Sequence, residues 1–180
     1  MNKYLKNIQE SLLTGVSYML PFVIAGGILI ALGFAVGGYD IPDSVEVYGS
    51  FASTLFWVGK RAFALMIPVF GGYVAYAIAD KPGLVAGMVG GLLADEQGSG
   101  FLGALVAGII VGFFVNELKK IKLPMSLRSL LPTLIIPIIS VTFIGLVMVY
   151  LVGKPIATLN TSLQSFLSGL SGGSLVILGI

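Results

Sequence analysis

The chain alternates long apolar runs with short charged connections, and the run lengths decide what each can be. Leu12 to Val36 is 25 residues without a formal charge, about 37 Å as a helix at about 1.5 Å per residue, more than the roughly 30 Å hydrocarbon core of a bilayer. This predicts a transmembrane helix. Lys3 and Lys6 precede it as in a signal peptide, but the run outlasts the roughly 7–15 residues of a signal core and ends only on the weak tripeptide Gly33-Phe34-Ala35, so it is expected to be retained. An acidic connection with Asp40, Asp43 and Glu46 follows. Trp57, Lys60 and Arg61 then form an interfacial anchor before Ala62 to Ala79, an 18-residue uncharged run. Gly83 to Ala94 is a third run of only 12 residues, Phe101 to Val115 a fourth, and Leu130 to Val152 a fifth of 23.

Charge placement settles the short third run. If all five runs cross and the N-terminus is cytoplasmic, Lys3, Lys6, Lys81, Lys119, Lys120, Lys122 and Arg128 lie inside, and Lys60, Arg61 and Lys154 lie outside. This seven-to-three bias is what the positive-inside rule requires. A re-entrant third run would reverse it, so a short crossing shielded by neighbouring helices is expected. After Pro155 the pattern changes: Ile156, Leu159, Leu163, Phe166, Leu167 and Leu170 recur at three- and four-residue spacing among Ser, Thr, Asn and Gln. They predict an amphipathic helix at the interface or against another domain, with no cation on its polar face to draw it to anionic lipid. Ser171-Gly172-Gly173-Ser174 reads as a break, and Leu175 to Ile180 as the start of a further apolar segment, which suggests the N-terminal part of something longer. The expected division is a transmembrane part over 1–153, an amphipathic connecting helix and break over 154–174, and the unfinished segment over 175–180.

The small residues and prolines add packing to this outline. Gly83, Gly87 and Gly91 recur every fourth residue, as do Gly100, Ala104, Gly108 and Gly112. Each row is a flat helical stripe that lets backbones approach closely, where lipid supplies no hydrophobic driving force. Pro42, Pro82, Pro124 and Pro155 punctuate connections, whereas Pro21, Pro68, Pro132 and Pro137 fall inside spans and predict bends in three of them. Such bends either shape the bundle or free carbonyls to line a polar cavity.

Composition closes off most chemistry. Of 180 residues, 57% are apolar and 10% charged, against about 25% charged in ordinary soluble domains, and the mean hydropathy is +1.03. A soluble globule is excluded. With no cysteine and no histidine there is no thiolate or imidazole to carry a phosphoryl group, take a proton or ligate zinc, and no cofactor or metal is expected. A net charge of +2 is too small for nucleic-acid binding. There is no Gly-Lys-Ser or Gly-Lys-Thr phosphate loop. Asp95 and Glu96 read as a solvated turn, Asp80 as the cap of the following helix with Pro82 in its first turn, and Lys60 and Arg61 as cations snorkelling to headgroups or meeting an anionic group. Tyr18, Tyr73, Tyr76 and Asn116 place hydrogen-bonding groups on apolar helices. No catalytic residue is identified.

Longer strings carry a resemblance. Thr14-Gly15-Val16-Ser17-Tyr18-Met19-Leu20-Pro21-Phe22-Val23-Ile24-Ala25-Gly26-Gly27-Ile28-Leu29 resembles the opening of the membrane-embedded IIC component of the fructose branch of the phosphoenolpyruvate-dependent sugar phosphotransferase system. So do Ile67-Pro68-Val69-Phe70-Gly71-Gly72-Tyr73, running on through Ala79-Asp80-Lys81-Pro82-Gly83-Leu84 to Gly90-Gly91, then Gly100-Phe101-Leu102-Gly103-Ala104, and Leu131-Pro132-Thr133-Leu134-Ile135-Ile136-Pro137, in the expected order. The resemblance implies an all-α polytopic protein of the bacterial cytoplasmic membrane, a homodimer, that moves a sugar inward for phosphorylation by a IIB component supplied through IIA. It also implies that the first helices form a dimerising scaffold while the sugar sits mainly against a later half. Family members have a membrane domain about twice this length, and their glutamate-containing stretch ending in Gly-Ala-Ile-Pro has no counterpart here, so no sugar ligand is carried over to these residues. The alternative is a non-transporting membrane subunit that assembles with full-length permeases. An ion-coupled carrier ranks below both, because none of the five runs holds a charge.

Overall fold

The computed structural model describes residues 3–38, 50–121 and 130–173, with side chains placed over 6–38, 50–121 and 130–169. Asp40, Asp43, Glu46, Lys122, Arg128 and the terminal run 175–180 lie outside the described residues. Those described are helical apart from short turns, with no strand among them. Four helical stretches are long and apolar enough to cross a membrane: Lys6–Gly37, Phe51–Ala79, Gly100–Leu118 and Leu131–Gly169. The protein is an all-α membrane protein.

Helix α1, Lys3–Gly37, runs unbroken through Pro21. The second stretch is two helices, α2 (Phe51–Ala64) and α3 (Met66–Ala79), parted at Leu65. Pro68 explains the break: it has no N–H to offer the Ala64 carbonyl, and its ring crowds that same carbonyl. Ser50 caps α2, its hydroxyl accepting from the Ser53 N–H at 3.2 Å. The hydrophobic run beginning at Ala62 thus continues a helix already under way from Phe51.

The short third run forms α4, Lys81–Glu96, 16 residues or about 24 Å. It lies antiparallel to α5, Gly100–Leu118, and the ends of the two helices are level. At one end the Gln97–Ser99 turn joins them; at the other, Lys119 Nζ reaches back to Asp80 Oδ2 at 2.8 Å. The last stretch contains two π-helical segments, Leu131–Ile135 and Val147–Val152, on either side of α6 (Ile136–Leu146), and runs without a gap into α7 (Gly153–Gly173). The expected boundary at Pro155 is therefore no loop. Pro155 lies three residues beyond the π-helical segment, inside a continuous helix, and the chain passes through it although the proline offers no N–H to the preceding turn. Of the expected break at 171–174, Ser171, Gly172 and Gly173 are helical as the end of α7, and Ser174 lies outside the described residues.

At the centre lies α3, packed against α1, α4 and α5. Phe70, Val74, Ala75 and Ala79 are fully buried there, with Ala104, Ala107, Val111 and Val115 of α5 and Ala86 and Ala94 of α4. Stacked rings tie the rest to this centre: Phe70 on Phe101 at 4.0 Å, Tyr18 on Tyr73 at 3.9 Å, and Phe114 on Phe143 at 3.8 Å between centroids. Helix α2 packs chiefly on α1, through Gly59 against Gly26 and Phe56 against Phe34. The opposite face of α1 presents Leu20, Ile24, Ile28 and Leu32 outward, a four-residue repeat that suits lipid.

Candidate functional site

Three backbones cross at Gly71 of α3. A methyl group there would lie 2.8 Å from the Gly87 carbonyl oxygen on α4 and 3.2 Å from that of Ala104 on α5. The two stripes of small residues converge on this helix from opposite sides. Gly83 faces the Ala75 carbonyl, Gly87 the Gly71 carbonyl and Gly91 the Ile67 carbonyl, each within 2.6–2.8 Å of where a Cβ would stand. From α5, Gly108 faces the Gly71 carbonyl at 2.7 Å and Gly112 the Ile78 side chain at 2.9 Å, while Ala104 is fully buried. Gly100 stands apart from its row. It has φ +54, opens α5, and an added methyl would meet only the Asn160 amide, at 3.5 Å, so it stands outside the seam. Gly71, Gly26 and Gly59 escaped the sequence reading, although Gly71 heads a row of small residues at four-residue spacing with Ala75 and Ala79 that α4 packs against.

At the end of the bundle near Asn7 the groups are polar. A cavity of about 410 Å³ opens between α1, α3 and α5, lined by Asn7, Glu10, Ser11 and Thr14 from one face of α1, with Tyr76, Asp80 and Asn116 opposite. Two of its hydroxyls are turned to their own helix: Ser11 donates to the Asn7 carbonyl at 2.6 Å and Thr14 to that of Glu10 at 2.8 Å. A second cavity, of about 590 Å³, shares Tyr76 and Asp80 and extends past Lys81 and Pro82 to Pro132 and Pro137. Asp80 divides the two. It does not cap α4 as expected, because its backbone is at φ 56 and ψ −156 and its side chain makes no cap bond. It is the single described non-glycine residue with positive φ, a conformation costing on the order of 1–3 kcal/mol. Lys119 holds it there, donating to both the Asp80 carboxylate and the Ala79 carbonyl, the latter at 3.2 Å. The cavities offer carboxylates, amides, hydroxyls and the Lys81 ammonium, and among the described residues no three His, Cys, Asp or Glu side chains gather as metal ligands.

The opposite end is the α4–α5 turn. Asn160 of α7 donates to the Gly98 carbonyl at 2.9 Å, and Ser99, fully buried, donates to that of Ala94 at 2.9 Å. Asp95 and Glu96 close α4 on its exposed side. On α2, Arg61 lies over the Trp57 ring at 5.2 Å and Lys60 over Phe56 at 5.7 Å, so both cations rest on aromatic faces.

Residues 13–180 match the family model described as "Phosphotransferase system, EIIC". The chain belongs to that family. EIIC relatives resemble it along nearly its whole length: 37% identity to the PTS system fructose-specific EIIC component of Haloferax volcanii, over 99% of this chain and 52% of that protein, and 39% to the fructose-like permease IIC component 2 of Escherichia coli, over 98% and 49%. The PTS system fructose-specific EIIB'BC component of Xanthomonas campestris is 48% identical over 95% of this chain and 30% of its own length. The chain thus spans about half the length of the EIIC relatives it matches. No solved structure gives a significant match.

Proposed function

We propose that this EIIC chain is the scaffold half of a fructose-type sugar permease. The observation that carries the reading is the match of almost the entire chain to about half of two relatives, one named a fructose-specific EIIC component and the other a fructose-like permease IIC component. The seam at Gly71 supports it, since three backbones held at contact distance make a stiff frame. In this reading the N-terminus is cytoplasmic in the bacterial inner membrane, and α4 is a fifth crossing whose ends are level with those of α5. The Asn7, Asp80 and Lys119 end faces inward and the Gln97 and Asn160 end outward. The frame forms a homodimer, and the half that completes the domain carries the sugar. A IIB component, fed by IIA, phosphorylates the sugar inside; the charged product cannot recross hydrocarbon, and uptake becomes irreversible.

The test is reconstitution. Vesicles holding this chain, IIB and a phosphoryl donor should not phosphorylate fructose until the complementary half is supplied. Robust phosphorylation by the 180 residues alone would overturn the reading. Assembly with a full-length permease that leaves uptake unchanged with either half present would favour the non-transporting subunit instead.

A further inference from the structure

Three cavities at the Asn7 end of the bundle join through shared walls, and their linings change in one direction. The first, about 410 Å³, presents the Glu10 and Asp80 carboxylates, the Asn7 and Asn116 amides and Tyr76, and among the described residues no cation lines it. The second, about 590 Å³, begins at the same Tyr76 and Asp80, adds the Lys81 ammonium and ends on Pro137. The third, about 350 Å³, begins at Pro137 and follows α6 past Ile138 and Val141 to Thr142; Ile138 is among the exposed apolar residues of that helix. The path thus passes from anionic, through cationic, to apolar. Each volume lies in the range of ligand sites, about 300–1,000 Å³. Neighbouring cations are engaged, Lys6 with Glu10, Lys119 with Asp80 and Lys120 with Glu117. Lys81 is exposed and makes no ion pair among the described residues.

We propose that this path seats one phospholipid with a primary-amine headgroup: its ammonium in the first cavity, its phosphate beside Lys81 in the second, and one acyl chain along α6 in the third. An ammonium brings three donors and no acceptor, and the first cavity answers with carboxylate, amide and hydroxyl oxygens. The phosphate diester supplies the anion that Lys81 lacks within the chain. Depth agrees, because Asp80 and Lys119 stand where α4 and α5 end, the level at which apolar spans give way to headgroups. The Lys6–Glu10 pair is long, at 3.7 Å, and both side chains are more than half exposed, so trading Lys6 for a lipid ammonium costs little. A soluble phosphate ester would use the second cavity and leave the apolar third one empty. The proposal rests on the membrane-spanning fold, and neither the scaffold reading nor the identity of any sugar enters it.

Native mass spectrometry of the full chain, released from nanodiscs holding equal phosphatidylethanolamine and phosphatidylglycerol with identical acyl chains, counts the lipid each molecule retains. The parent should keep phosphatidylethanolamine about tenfold in preference to phosphatidylglycerol. Glu10→Gln should lower phosphatidylethanolamine retention about fivefold and leave phosphatidylglycerol unchanged, whereas Lys81→Gln should lower both about fivefold. Glu10 and Lys81 are exposed, so neither change empties the core. Glu117→Gln, which removes a carboxylate outside the three cavities, should alter neither lipid. Glycerophosphoethanolamine, the same headgroup without chains, should displace neither lipid even in large excess. Equal retention of the two lipids by the parent, loss of phosphatidylglycerol in Glu10→Gln, or unchanged retention in Lys81→Gln would overturn the proposal. Displacement by glycerophosphoethanolamine would overturn it too, by showing that the site takes a soluble phosphate ester and has no use for the chain groove.

Discussion

Replacing Gly71 by alanine tests the seam most directly. The added methyl meets the Gly87 carbonyl oxygen at 2.8 Å, that of Ala104 at 3.2 Å and the Gly91 Cα at 3.3 Å. All three are backbone atoms, so no rotamer change can relieve them, and α3 must move about half an ångström from α4 to restore a normal carbon–oxygen separation. Overpacking of this kind costs about 1–3 kcal/mol, while alanine in place of glycine in a helix returns about 0.5–1 kcal/mol. The net expectation is a loss of about 1–2 kcal/mol. Gly27→Ala supplies the control, because a methyl there has nothing within 4 Å and the helix gains about 0.5–1 kcal/mol. The two variants should differ by about 2 kcal/mol, or roughly thirtyfold in the unfolding equilibrium. Denaturation with sodium dodecyl sulfate in mixed micelles, followed by loss of tertiary aromatic signal, measures this difference. Equal stability of the two variants, or greater stability of Gly71→Ala, would refute the argument that backbone contact at this crossing limits residue size.

The strained turn gives a second comparison. Asp80→Gly removes the backbone strain along with a largely exposed ion pair worth at most about 1 kcal/mol, so it should match or exceed the parent in the same denaturation assay, whereas Asp80→Ala, which keeps the strain and loses the pair, should fall about 1 kcal/mol below Asp80→Gly. Lys119→Met should lower stability by about 1 kcal/mol, since the Ala79 carbonyl loses its donor; an unchanged midpoint would show that the lock contributes nothing. The orientation of α4 is open to chemical labelling: in intact cells an impermeant maleimide should modify Asp95→Cys and spare Glu117→Cys, and the reverse pattern would invert the proposed topology.

Much of the fold was legible because lipid leaves a strong imprint on composition. Charge-free length revealed the helices, and the repeat of Gly83, Gly87 and Gly91 marked a face that the structure sets against α3. What escaped was set by relationships between segments. Whether Asp80 caps α4 depends on Lys119, 39 residues away, which draws the carboxylate off the helix start. The start of α2 at Phe51 was hidden because Lys60 and Arg61 interrupt the apolar run, although cations resting on aromatic faces do not interrupt a helix. Gly71 does head a row at four-residue spacing with Ala75 and Ala79, but a row of one glycine and two alanines does not say which position meets two other backbones at once. The continuity of α6 into α7 is not legible for a different reason: Pro155 signals a boundary, yet the helix runs through it.

The π-helical segment at Val147–Val152 links the length of this chain to its mechanics. One residue added to or removed from a helix turns everything after it by about 100°, so the side of α7 that carries Asn160 meets Gly98 only with the present residue count between Ile136 and Gly153. A one-codon deletion in that segment would swing Asn160 a quarter-turn or more from its acceptor without changing a single side chain in α7. The Haloferax volcanii relative aligns over 197 positions, more than this chain possesses, so length does vary among these proteins. A change of length within Val147–Val152 would re-aim α7, and indels there should be selected against more strongly than substitutions.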